Sequence, residues 1–217
     1  PDTTAHTFVS AVANGVKKQS GKIQAIVGTT PLVAYTPTAA TYDAVTGDMV
    51  LTIGTHNLVA EKKFTPAAGT TYDPSTGVMS IFSASHGLVV GDKVKIDPGA
   101  VSFTCLEDSN NTSHAYPRAT DPVANKEIEV IAITADTFDV QVLTTVPSTN
   151  TTAHTFVSSL PNSITRAGQS VKLATDSLTF TCAMDGNTAQ KTYPRASDPV
   201  HNTAIPIKAA GATTITL

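Results

Sequence analysis

Two near-identical phrases, YPRATDPVAN from Tyr116 to Asn125 and YPRASDPVHN from Tyr193 to Asn202, carry the side chains best suited to recognition. Tyr116, Arg118 and Asp121 in the first recur as Tyr193, Arg195 and Asp198 in the second. A phenol ring beside a guanidinium can grip a sugar or a partner subunit, because Tyr and Arg are enriched at interaction hot spots. The same residues also suit a stiff corner. Proline after Tyr116 and after Asp121 holds both residues extended and withholds two N–H groups from any sheet ladder. Arginine hydrogen bonds and a packed tyrosine ring would then fix the bend. The corner is the stronger reading, since a module that needs the same bend twice must repeat the phrase.

The other reactive side chains match no catalytic or metal-binding pattern. Of the six histidines, His6 is the repeat partner of His154 and His56 of His86, while His114 and His201 stand alone. None has the i, i+2 or i, i+4 spacing with carboxylate or thiolate companions that zinc or iron needs. In THNL and SHGL the imidazole is expected to cap a turn. The acidic turns EDSNN (Glu107 to Asn111) and DGN (Asp185 to Asn187) offer oxygens, yet they lack the six-ligand spacing of a calcium loop, and the second has no Glu. Cys105 and Cys182 occupy equivalent places in two repeats and are expected to lie beyond the roughly 4 to 7 Å Cα reach of a disulfide. Each is read as a small buried hydrophobe. There is no G-x-S-x-G, no Cys beside a plausible His and no phosphate-cradling glycine loop. Neither an enzyme nor a cofactor is expected.

The elements that position these residues come in copies. Sliding the chain by 77 lays Val101 to Val140 over Leu178 to Leu217 without a gap, and 17 of those 40 positions are identical. TTAHTFVS occurs at Thr3 to Ser10 and again at Thr151 to Ser158, and TYDAVTGDMVLTIGTHNLV (Thr41 to Val59) matches TYDPSTGVMSIFSASHGLV (Thr71 to Val89) at an offset of 30. Repeats at such periods mark modular architectures. Within a module, GVMSIFSA, DMVLTIGT, DKVKI, VSFTC, EIEVIAI and TFDVQV read as short strands. Gly, Asn, Asp and Pro clusters supply the turns between them. The one helix candidate, TFVSAVANGVKKQS, is weakened by Gly15 and its β-branched residues. The expectation is an all-β protein of tandem small antiparallel β-sandwich or barrel-like modules in an elongated arrangement. Its modules span 1–71 (shortened or divergent), 72–148 and 149–217. The repeat phrases near both ends suggest an excerpt of a longer tandem array.

Composition bounds the partners. With 41% hydrophobic and 14% charged residues and a net charge of −3, the chain gives no electrostatic case for nucleic acid or an anionic membrane. No apolar run approaches the roughly 18 residues of a membrane helix, so a soluble chain without membrane insertion is expected.

The phrases YDPSTGVMSIFSASHGLVVGDKVKI, LTFTCAMDGNTAQKTYPRASDP and TTAHTFVS resemble repeats of virion structural proteins from tailed phages of marine cyanobacteria, in particular large tandem-repeat fibre or appendage proteins. The likeness spans nearly all of Thr71 to Leu217 and, in broken form, the first 70 residues. TFTC combined with YPRASDP is its specific part. HGL followed by GD is common and weak alone. The resemblance implies a β-rich component of the extracellular virion, part of a tail or head fibre serving host attachment, with no catalytic residues to carry over. It implies other virion proteins as partners, homo-oligomerisation, trimeric by analogy with fibres, and a host surface glycan as candidate ligand. A capsid decoration protein, a carbohydrate-binding adhesin module and an extracellular filament subunit are the rival readings. Residues 1–70 depart from the pattern by omitting TFTC and YPR between the two TYD phrases.

Overall fold

The alternation of apolar and polar residues in the short strand candidates dictates half-buried strands, and a computed structural model shows them; it describes residues 4–19, 33–143 and 152–217. Val78–Phe82 buries Met79 and Ile81, Thr137–Gln141 buries Phe138 and Val140, and Lys93–Ile96 buries Val94 and Ile96. The remaining residues of each strand face outward, as a pleat of period two requires. The protein is all-β: among the described residues the only helical elements are two three-residue 3₁₀ turns, Leu106–Asp108 and Ala183–Asp185. The helix candidate TFVSAVANGVKKQS is instead two strands, His6–Ala11 and Val16–Gln19, with Asn14 in the left-handed region (φ 56°) between them; its last residue, Ser20, lies outside the described residues. β-branched residues and a glycine cost a helix more than they cost a strand pair with partners to pack on.

The chain forms two compact units. The inserted unit is Lys62–Ala167. Its seven-stranded antiparallel sheet runs, in spatial order, Lys62–Phe64, Ile164–Arg166, Lys93–Ile96, Glu127–Ile133, Thr137–Gln141, Val78–Phe82 and Thr71–Asp73. A three-stranded sheet, Ser113–Tyr116, Val101–Cys105 and His154–Ser159, shares its core, with Phe64, Ile81, Val94, Phe138 and Ile164 from the first sheet meeting Val101 and Phe103 from the second.

The interrupted unit is Pro1–Glu61 together with Gly168–Leu217. It holds the same strands in permuted chain order. The offset of 148 carries His6–Ala11 onto His154–Ser159, the offset of 30 carries Met49–Thr52 onto residues 79–82, and the offset of 77 carries Leu178–Cys182 onto Val101–Cys105. Registers follow suit: His6 faces Cys182 and Phe8 faces Phe180, as His154 faces Cys105 and Phe156 faces Phe103. Both ends of the interruption, Glu61 and Gly168, map onto one residue, Gly91. The turn there is rebuilt across the gap in the chain. In the inserted unit Asp92 N–H donates to Val89 O at 3.1 Å and Val89 N–H donates to Asp92 Oδ2 at 3.1 Å. In the interrupted unit Gln169 N–H donates to Val59 O at 2.9 Å and Val59 N–H donates to Gln169 Oε1 at 3.2 Å. A Cβ on Gly168 would lie 2.4 Å from Glu61 N, so the rejoining strands leave room for glycine alone.

These units are defined by packing, whereas the modules 1–71, 72–148 and 149–217 are defined by repetition. The two divisions differ because a repeat marks which residues are equivalent, and hydrogen bonds decide which residues belong together. One local departure has a clear cause. The seven-residue strand Glu127–Ile133 corresponds in the interrupted unit to two short pieces, Ile205–Pro206 and Ala209–Ala210, so its sheet is split into two four-stranded sheets. Pro206 stands where the first copy has Glu129 and brings no N–H to the ladder.

A chain in which residues 60–168 are replaced by Val-Gly, the dipeptide that joins Val89 to Asp92, should close the interrupted unit through an ordinary turn. We expect a folded all-β domain with one cooperative thermal transition by circular dichroism. A chain that stays unfolded would show that the interrupted unit needs the insertion to form.

Candidate functional site

The inserted unit carries an open cleft of about 790 Å³. Its floor is apolar, made by Met79, Phe103 and Leu143, and its walls carry Tyr72, Tyr116 and His154. Strand register explains this gathering. Tyr72 comes from the sheet-edge strand Thr71–Asp73, Tyr116 from the end of Ser113–Tyr116, and His154 from the strand that pairs with Val101–Cys105. Tyr72 stacks on Tyr116 at 6.4 Å between ring centroids, with 19° between planes. The edge of one ring of the Tyr72–His154 pair meets the face of the other at 5.2 Å and 82°. His154 Nδ1–H donates to Thr152 O at 2.9 Å, which fixes the ring. Tyr116 O–H donates to Val142 O at 3.5 Å. Burial, reinforced by the charges of Asp121 and Tyr72, raises the Tyr116 phenol far above the ordinary tyrosine value, so it stays protonated.

Polar groups ring the cleft. Glu107, Asp108 and His114 come from the 3₁₀ turn and the strand after it; Arg118 and Asp121 come from the YPR corner. In that corner Arg118 N–H donates to Asp121 Oδ2 at 2.8 Å and Asp121 N–H donates to Arg118 O at 2.9 Å. The Asp121 side chain is only 14% exposed and the Arg118 side chain 77%, so the carboxylate is tied into the turn while the guanidinium lies over it in solvent, 3.4 Å away. The second corner repeats this: Arg195 N–H donates to Asp198 Oδ2 at 2.8 Å and Arg195 Nη2 lies 3.1 Å from Asp198 Oδ1. Each corner opens on a cis bond, Tyr116–Pro117 and Tyr193–Pro194.

Of the six residues singled out in the sequence, Tyr116, Arg118 and Asp121 line the large cleft. Tyr193 lines a much smaller cavity of about 80 Å³ in the interrupted unit, with Tyr42 and Met49, the repeat partners of Tyr72 and Met79; Arg195 and Asp198 do not line it. The reading of the phrases missed Tyr72, Phe103 and His154. The signal for them was the constant company of TYD, TFTC and HTFVS with YPR in each copy.

One sequence reading is corrected. Cys105 does stand beside a histidine, because strand register places it opposite His154, as it places Cys182 opposite His6. No hydrogen bond joins either pair among the described residues, and His154 Nδ1 is engaged with Thr152 O. Both thiols are free, Cys182 buried and Cys105 partly so. THNL and SHGL act as turns: His56 Nδ1 accepts from Leu58 N–H at 3.2 Å, and His86 Nδ1 accepts from Leu88 N–H at 3.0 Å. The acidic turns are capped structures as well. Asp108 Oδ2 accepts from Thr112 N–H at 3.1 Å, and Asp185 Oδ2 accepts from Lys191 Nζ at 2.9 Å. Among the described residues no three His, Cys, Asp or Glu side chains converge as a metal site would require.

No family model matches the chain, and no curated protein matches it. Among solved structures it is similar to a "Phage phi92 endosialidase", at 13% identity and a TM-score of 0.27 over 94% of this chain. The match spans 32% of that protein's length, and at that score it establishes neither fold nor activity for this chain.

The turn carboxylates make folding sensitive to acid. The N–H groups of Val45 and Arg195 hold Asp43 and Asp198 below the ordinary value of 3.8, the Ser75 and Thr112 hydroxyls do so for Asp73 and Asp108, and Lys191 does so for Asp185. The folded chain therefore binds fewer protons than the unfolded chain near that pH. The resulting stabilisation is complete above about pH 3.8 and disappears as the pH falls through the depressed values. Melting temperature should drop on acidification below 3.8, and Asp198→Asn should melt lower at neutral pH and lose less on acidification; equal pH profiles for the two proteins would refute this assignment.

Proposed function

We propose that the chain is a non-catalytic structural component of a phage virion, part of a tail or head fibre or a similar appendage, acting outside the cell in the assembled particle. One observation carries the reading: the same sandwich is closed twice, once with its strands in continuous order and once with a 110-residue separation inside a single turn. A unit that closes through register alone is suited to repetition, because each copy can take its strands from whichever segment offers the right edge. The resemblance of TFTC, YPRASDP and TTAHTFVS to fibre repeats points the same way. The Cys–His neighbours count little toward chemistry, since they recur in both units as a consequence of shared register and the His154 ring is held by a backbone carbonyl.

Partners under this proposal are other virion proteins and further copies of the chain, with threefold symmetry covering exposed strand edges. Mass spectrometry of purified particles, with gold-labelled antibody on the same particles, tests the reading. We expect the chain in the particles and label on a projecting appendage. Label spread evenly over the capsid shell would replace the fibre by a decoration protein, and absence from particles would end the virion reading. Sedimentation of the purified chain should show a trimer; a monomer at high concentration would remove the symmetry.

A further inference from the structure

We propose that the cleft of the inserted unit binds a neutral oligosaccharide, one per chain. The cleft volume, about 790 Å³, lies within the roughly 300 to 1,000 Å³ typical of small-ligand sites. The polar residues along it are not all shared by the second copy. Glu107 and His114 stand where the second copy has Met184 and Lys191. Lys191 is drawn onto Asp185 at 2.9 Å, whereas His114 stays 3.8 Å from Asp108 and is 62% exposed.

The chemistry of the lining selects the ligand class. Apolar and aromatic side chains along the cleft suit the C–H surface of a pyranose. Carboxylates that accept, a guanidinium that donates and an imidazole that can do either suit hydroxyl groups, which need both partners at once. Three carboxylates, Glu107, Asp108 and Asp121, face one guanidinium, Arg118, so the rim repels an acidic sugar. A metal cation is less well served, because among the described residues no three His, Cys, Asp or Glu side chains converge on one point. The inference concerns this cleft alone and does not depend on the virion reading.

Saturation-transfer NMR and calorimetry on the full chain test it, with maltotriose, cellotriose, lactose and N,N′-diacetylchitobiose as neutral probes, sialyllactose as the acidic probe and choline as the cationic one. At least one neutral probe should bind at about 10 mM or below with one site per chain. Arg118→Ala and His114→Ala change exposed side chains and should leave the fold intact by circular dichroism while weakening that binding about tenfold, the scale of one charge-assisted hydrogen bond. Lys191→Ala, in the interrupted unit, should leave it unchanged. The proposal is overturned if no neutral probe binds at that concentration, if sialyllactose or choline binds more tightly than every neutral probe, or if Lys191→Ala weakens binding as much as Arg118→Ala.

Discussion

The pairing of a TFTC strand with an HTFVS strand is the interaction on which the rest depends. It brings Phe8 edge to face with Phe180 at 5.9 Å, and Phe103 with Phe156 at 6.2 Å, and it closes a three-stranded sheet over each core. An antiparallel ladder is specified by register and by which face is apolar. Chain connectivity is no part of that specification. The strand can therefore arrive from downstream, as His154–Ser159 does for Val101–Cys105, or from far upstream, as His6–Ala11 does for Leu178–Cys182. The entropic cost of a long connection grows only logarithmically, by about 0.6 kcal/mol per doubling of its length. An entire folded unit can then sit inside one turn of another.

The same indifference to connectivity explains the cleft. Tyr72, Tyr116 and His154 are separated widely in sequence, and each is placed by a different strand of a common frame. The frame is shared by both units, so the aromatic cluster is too: His6 meets Tyr42 edge to face at 5.5 Å, much as Tyr72 meets His154. What varies is the rim. At and just after the 3₁₀ turn, Glu107 and His114 of one copy are Met184 and Lys191 in the other. Repetition thus supplies a scaffold whose copies can diverge without disturbing the core.

What the sequence determined by itself was local. Alternation placed Met79, Ile81, Phe138 and Val140 inward, because a pleat has period two whatever surrounds it. The D-x-x-T-G turns were legible because Asp43 and Asp73 accept from N–H groups two residues on, and Gly47 and Gly77 take the positive φ that follows. The YPR corners were legible as fixed bends, since each proline, and the Asp that accepts from the arginine N–H three residues before it, act over only a few residues. Tertiary structure alone decided which strands share a sheet, that Glu61 and Gly168 meet at one turn, and that Tyr116, Arg118 and Asp121 line one cleft with Tyr72 and His154. Those outcomes depend on pairing between distant segments and on side chains contributed by neighbours, and no window of sequence contains both partners of such a contact.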